Sequence, residues 1–449
     1  MSKSKINFNP KNFIIELTKQ QVQPALGCTE IGIVSLATAK AAKLLPGKLA
    51  SALVKVSTCI YRNDVRVGVP KLGICGIPTI AAAGFVLKNP EKKLGCIADA
   101  NAKDLIEIRK LGASKKIIVN IDYNAQPVFT YVKAKDLKNN VATVLIEGAH
   151  DNIVSAKLNG KETIKISSKH STVASCGVNF DDHVDDIPLE KIYQLCKSML
   201  MVDLKFLIPG IKMNEEICKY GLKHYKNGWI TKSFIQMKQI KNKSRGLFNN
   251  DSTLYSVLLN VCSAVEARMY GCDYPVMTSA NSGDHGLTVS LTLITYAKIK
   301  KIPMLKLLQG LLFAHYLTWY IKSHVGHLCG MCGCTIAAAP GAICGIAFLN
   351  NWSWKQINNL LNAHLCSQSN ILCDGAKPSC AYKCINAILN GYLAFQMVKN
   401  NGYILSKDGI VYHNVEETIK NYQYISSRTL KNIVNATVQM LDHIQKGLK

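Results

Sequence analysis

The hydrophobic pattern changes character twice along the chain. Residues 12–18 form a short amphipathic segment, and 31–45 are alanine-rich and apolar enough for a buried helix, with Cys28 or Thr29 near its start. Residues 52–61 predict a strand, broken by Arg62-Asn63-Asp64. Residues 76–87 predict a helix with Pro78 in its first turn, where a missing N–H is tolerated. From 117 to 168 the pattern shifts to short β-rich runs. The clearest are 154–158 and 161–166, which flank Asn159-Gly160, a dipeptide suited to a two-residue hairpin. An acidic connector, 181–187, closes this stretch. Beyond Pro188 the apolar residues recur at helical spacing through 189–201, 213–225, 252–270, 287–297, 303–322, 334–349, 354–368, 380–399 and 415–449. No repeat of fixed period interrupts them. The expected fold class is α+β: a mixed α/β portion with a β-hairpin region over 1–187, then a larger, mainly α-helical domain over 188–449 that carries the cysteine cluster.

Composition narrows the class. With 48% hydrophobic residues the chain can bury a sizeable core, and 449 residues suggest roughly two or three domains. The most apolar run, 333–349, contains Thr335, Pro340 and three glycines and falls short of the roughly 20 residues that span a bilayer, so a buried helix pair is expected there. The first ten residues lack the apolar stretch of an export signal. A net charge of +25 would serve nucleic acid, a membrane surface or an acidic ligand. The lysines, however, are scattered through 103–116, 133–138, 232–243 and 298–306 beside Asn and Ile, without an aromatic RNA-binding pattern or helix-turn-helix. We read this as compositional bias, with a small-molecule substrate as the expected partner, no dedicated nucleic-acid or membrane contact, and self-association left open. Seventeen cysteines would suggest a disulfide scaffold in a small secreted domain, but this chain is large. Reduced thiols in a cytoplasmic setting are the expectation.

Eight of those cysteines lie between Cys329 and Cys384, framing Cys329-Gly-Met-Cys332-Gly-Cys334 and Cys373-Asp-Gly-Ala-Lys-Pro-Ser-Cys380. Gathered thiolates suit soft iron or zinc centres. Structural zinc sites pair two short clips, whereas six residues separate Cys373 from Cys380, and neither common ferredoxin spacing matches. A cluster held by three cysteines would leave one iron open for Lewis-acid chemistry. Cys344, Cys366 and Cys384 lie on apolar helical faces and read as small buried hydrophobes. Cys373 and Cys380 bracket a Gly, Lys and Pro loop and read as ligands. His324 and His327, one turn apart, offer a zinc alternative with Cys329 and Cys332. Residues 279–286 run into an apolar helix, so Asn281, Ser282 and Gly283 suit a carboxylate site at a helix N-terminus, or equally an ordinary cap.

The motifs Pro24-Ala-Leu-Gly-Cys-Thr-Glu30, Val56-Ser-Thr-Cys-Ile-Tyr-Arg-Asn63 with Val67-Gly-Val-Pro70, Asn281-Ser-Gly-Asp-His-Gly286, Cys332-Gly-Cys-Thr-Ile-Ala-Ala338 and Cys373 to Cys380 occur in one order over nearly the whole chain. In these the sequence resembles the L-cysteine desulfidase family, cytoplasmic iron–sulfur lyases related to the α-type domain of bacterial L-serine dehydratases. The resemblance implies a [4Fe–4S] cluster and a β-elimination that yields pyruvate, ammonia and hydrogen sulfide from L-cysteine. It makes Cys373 and Cys380 ligands, one of Cys332 and Cys334 the third, Cys28 a displaceable ligand or an acid/base, and Asn63 a substrate contact. Two departures stand out: Asp284-His285 replaces the family's Asn-Gln, and Cys329 and Pro340 replace a small polar residue and a glycine. Candidates for the base are Cys28, His285, Asp284 and Glu30; His285 has an ordinary pKa of about 6.5, and Asp284-His285 reads otherwise as an exposed turn. Lys377 is expected to meet substrate carboxylate or cluster charge. Serine dehydration, or a non-catalytic zinc or cluster protein that binds nucleic acid, are the competing functions.

Overall fold

A computed structural model of the chain describes residues 9–27, 29–73, 76–163, 180–239, 252–328, 330–368 and 371–447. Helix α1 (Pro10–Gln21), the short strand β1 (Pro24–Ala25) and α2 (Thr29–Leu44) lead to β2 (Leu49–Ser57), α3 (Thr58–Asp64), α4 (Ile77–Leu87) and α5 (Ala102–Ala113). Strands β3 (Ile117–Asp122), β4 (Phe129–Asp136), β5 (Val141–Glu147), β6 (Ile153–Leu158) and β7 (Lys161–Glu162) complete a sheet of order β3-β2-β4-β5-β6-β7. Only the β2/β3 pair is parallel, and α3 to α5 supply the crossover that a parallel neighbour requires. Side chains alternate along the strands, so Val132 and Ala134 of β4 and Ala142, Val144 and Ile146 of β5 are fully buried. The alanine-rich α2 packs on β4 and β5. Asn159 and Gly160 take φ of 49° and 80°, the positive values that a type I′ hairpin needs, between β6 and β7. The expected second strand is described only to Glu162, because 164–179 lie outside the described residues.

The helical part comprises α6 (Leu189–Ser198), α7 (Met201–Leu204), α8 (Ile208–His224), α9 (Ile230–Gln239), α10 (Ser252–Met269), the short strand β8 (Val276–Met277), α11 (Gly283–Ile299), α12 (Met304–Val325), α13 (Ala339–Leu349), α14 (Trp354–Gln368), α15 (Cys380–Lys399) and α16 (Val415–Gly447). Helices α11, α12 and α13 are buried around almost their whole circumference and form its centre, as all-round apolar helices must. α10 and α13 pack between α11 and α15. The two portions interlock: β1 pairs with β8, α1 packs on α12, and α3 packs on α16. Phe13 of α1 meets Phe180 and Trp319 edge-on at ring-centroid distances of 5.3 and 6.5 Å. One apolar core runs from Phe13 to Val438. No helix among the described residues is long and apolar enough to cross a membrane.

Two of the expected elements need correction. The strand predicted over 52–61 ends at Ser57, whose hydroxyl accepts the Ile60 N–H and caps α3. Tyr61, Arg62 and Asn63 therefore stand on a buried helix and not at the end of a strand; a short apolar, β-branched run cannot by itself distinguish helix from strand. Residues 333–349 form one continuous run in place of a helix pair: a π-turn at Cys334–Ala338 feeds directly into α13. The Ala339 N–H bonds back to the Cys334 carbonyl, and Pro340 follows in the first turn of α13, where its missing N–H is tolerated. Residues 102–113, read for their lysines alone, form α5 behind a reciprocal Asn101/Asp104 capping box.

Candidate active site

A two-rung backbone bridge joins the cysteine segments. Met331 lies opposite Leu372, the Cys332 N–H donates to the Ile371 carbonyl and the Cys373 N–H to that of Gly330, both at 2.8 Å. The Cys332 carbonyl then accepts from the Thr335 N–H and Oγ1 and from the Ile336 N–H, which starts the π-turn. On the other segment the Cys380 N–H closes onto the Lys377 carbonyl at 2.8 Å and opens α15. Gly375 (φ 98°) lets this loop meet α3: a Cβ there would lie 2.0 Å from the Arg62 carbonyl oxygen. Cys332, Cys334, Cys373 and Cys380 all line one cavity of about 700 Å³.

Asn63, Asn281, Ser282, Gly283, Asp284 and His285 line the same cavity. The loop before α11 bends through Ala280 and Asn281, with φ of 45° and 57°, and is held by Asn281 Nδ2 donating to Gln21 Oε1 at 2.9 Å. Ser282 occupies the N-cap position of α11 without a side-chain cap bond, so the uncapped first turn adjoins the cavity, where a carboxylate is favoured. Lys377 is placed elsewhere: its ammonium, with that of Lys383, pairs with Asp374, and it is not part of the cavity wall. Cys28 and Cys329 lie outside the described residues.

Asp284 and His285 are buried in the first turn of α11 and do not form an exposed turn. Asp284 forms a 2.7 Å ion pair with Arg268, whose other nitrogen donates to the Gly27 carbonyl at 2.6 Å. Burial raises the Asp284 pKa and Arg268 opposes the rise. His285 packs so closely on Gly333 that a Cβ there would lie 2.3 Å from its Nε2. Burial, then the charges of Lys322, His327 and Arg268, push its pKa down to about 3, so the ring is neutral at physiological pH. Asn63 Nδ2 donates to Glu30 Oε1 at 2.8 Å, which orients a carboxylate on the cavity wall. The neighbouring Asp64 is fully buried, with neither oxygen hydrogen-bonded among the described residues, and burial followed by the Glu30 charge raises its pKa well above normal. Cys332 is lowered, chiefly by a hydrogen bond from the Cys334 thiol, while Cys334 is raised by its bonds to Cys332 and Cys384.

No three His, Cys, Asp or Glu side chains among the described residues converge as a single-ion site needs. The imidazoles of the zinc alternative face carboxylates: His324 Nε2 lies 3.2 Å from Asp185 and His327 Nε2 3.0 Å from Asp181. Thiolates of a polynuclear cluster bind different irons and need not meet at one point, so four thiols spread around an open cavity fit that donor chemistry. One charged wall residue, Arg268, was not among the expected site residues. Its signal was a charge, beside Glu266, in a largely apolar helical run, while Cys384 is the fully buried small hydrophobe that its helical face implied.

Residues 140–439, which span β5 to nearly the end of α16, match the family model described as the serine dehydratase alpha chain. A UPF0597 protein of Clostridioides difficile (strain 630) is 31% identical over 434 residues, covering 96% of this chain and 100% of that protein. UPF0597 proteins of Clostridium botulinum (strain Langeland) and Caldanaerobacter subterraneus subsp. tengcongensis are 31% and 30% identical, over 91% and 93% of this chain and 92% and 95% of their own lengths. The match takes in both cysteine segments and the whole of α11, though not α2 and α3 with Glu30 and Asn63, and the chain belongs to the serine dehydratase alpha chain family.

Proposed function

We propose that the protein is an iron–sulfur-dependent lyase that converts L-cysteine and water to pyruvate, ammonia and hydrogen sulfide. The observation that carries this reading is the meeting of four thiols, an uncapped helix N-terminus and an oriented carboxylate on one cavity. Cys373 and Cys380 would hold a [4Fe–4S] cluster with one of Cys332 and Cys334. Such a centre, when bound, supplies an electrophilic iron that assists departure of the sulfur. The chain's own groups do the rest. The first turn of α11, with Ser282 and Gly283, receives the substrate carboxylate. Glu30, aimed by Asn63, takes the α-proton or holds the ammonium; Asp284 is committed to Arg268, and His285 is too weak a base at neutral pH.

The family match favours a second reading, L-serine dehydration, in which the leaving group is a hydroxyl. Anaerobically purified protein should contain iron and acid-labile sulfide and release sulfide from L-cysteine faster than it forms pyruvate from L-serine. The opposite preference would establish the second reading, and iron-loaded protein inert to both amino acids would sink each of them.

A further inference from the structure

We propose that His315, a buried ring on α12, is a positioning residue for substrate binding: through Ser279 it fixes the loop that presents the first turn of α11 to the substrate carboxylate. The inference rests on the amino-acid lyase reading above. His315 stands in an apolar and aromatic stretch of α12, Leu311 to Leu317, and is only 4% exposed, while Ser279 is fully buried. A polar ring in such surroundings costs free energy unless it is hydrogen-bonded, and its Nδ1 lies 2.9 Å from Ser279 Oγ. Ser279 in turn exchanges both backbone bonds with Ser282, each N–H donating to the other's carbonyl at 3.0 Å. The hold that α12 has on Ser279 is thus passed across one residue pair to the N-cap of α11. Between the two serines, Ala280 and Asn281 keep φ of 45° and 57°, a left-handed pair that non-glycine residues retain only where their surroundings enforce it. From the α1 side the enforcement comes from Gln21, whose carbonyl accepts Thr278 Oγ1 at 2.9 Å and the Asn281 N–H at 3.2 Å. From α12 it comes through His315. A substrate carboxylate is unchanged as the β-bond breaks, so its contact with the α11 turn acts alike in ground and transition states, and loosening that turn should raise KM without lowering kcat.

The test uses the full chain purified anaerobically, with kcat and KM measured on whichever of L-cysteine and L-serine the wild-type protein turns over, and with iron content measured alongside. His315→Phe keeps the ring's bulk without its nitrogens; KM should rise about tenfold, the worth of one hydrogen bond to a charged group, with kcat and iron content close to wild type. Ser279→Ala, which deletes a single hydroxyl, should do the same and carries the test if the phenylalanine variant fails to fold. The double variant should be no worse than either single one, because both remove the same bond. His315→Asn, which returns a polar atom near the place of Nδ1, should recover most of the lost affinity. Wild-type KM in both single variants, a fall in kcat and iron content at unchanged KM, multiplicative rises in KM in the double variant, or an asparagine variant as weak as phenylalanine would each overturn the assignment. A wild-type protein inert to both amino acids removes the functional reading itself, whereas an active wild type with unaltered His315→Phe and Ser279→Ala variants removes this inference alone.

Discussion

Arg268 neutralises a carboxylate that α11 carries into the wall of the cavity. Its side chain is only 6% exposed and that of Asp284 10%, so each charge depends on the other for solvation. Arg268→Met should destabilise the fold by about 3–5 kcal/mol, as removal of one partner of a buried pair does, read as a shift in the urea midpoint. The pairing gives the Asp284 carboxylate a cation from α10, the helix that precedes α11 in the chain. At the thiols, Cys373→Ser and Cys380→Ser should lose iron and sulfide release together, while Cys344→Ser, buried in α13 away from the cavity, should lose neither; a Cys344→Ser protein stripped of iron would break that sorting. The short cysteine clips were legible because their spacing is local. Partners such as Arg268 for Asp284, or Asp374 for Lys377, depend on how a side chain turns once the chain is folded, and the spacing of the Cys373–Cys380 loop does not say that Lys377 turns back onto Asp374.

Long apolar helices were the most legible elements. The sequence places Trp354–Gln368 and Cys380–Lys399 to the residue, because sustained 3.6-residue periodicity leaves little choice. Short elements with mixed propensity were not: α3 reads as strand until Ser57 is seen to cap it, and the π-turn at Cys334–Ala338 has no sequence mark apart from Pro340 beyond it. Close approach between elements is likewise silent in one dimension. Gly375→Ala would force α3 and the Cys373–Cys380 loop apart, and both should suffer, with about 1–3 kcal/mol of stability lost and iron released more readily. Thermal melts and chelator release check this; a protein that tolerates alanine at 375 with unchanged retention would mean that the contact between α3 and the loop does not matter to the site.

The whole molecule carries a pH liability in its histidines. Burial pushes the pKa of His315 down to about 3 and that of His364 to about 4, against about 6.5 in an unfolded chain. These rings are neutral in the fold and take up protons only on unfolding, so their contribution is fully present above about pH 6.5 and declines as pH falls toward 4. Stability should therefore drop by about 1.4 kcal/mol per histidine per pH unit in that window, measured as urea midpoints between pH 7.5 and 5. A flat profile would show that the rings are hydrated and charged in the fold. The bridge between Met331 and Leu372 has a consequence of another kind. It is made of peptide groups alone and draws on no metal, so on the iron–sulfur reading, cluster binding is expected to be a loading step in place of a folding step. Protein drained of iron should keep its circular dichroism and regain its colour in place when ferrous iron and sulfide are returned, without passing through a denatured chain.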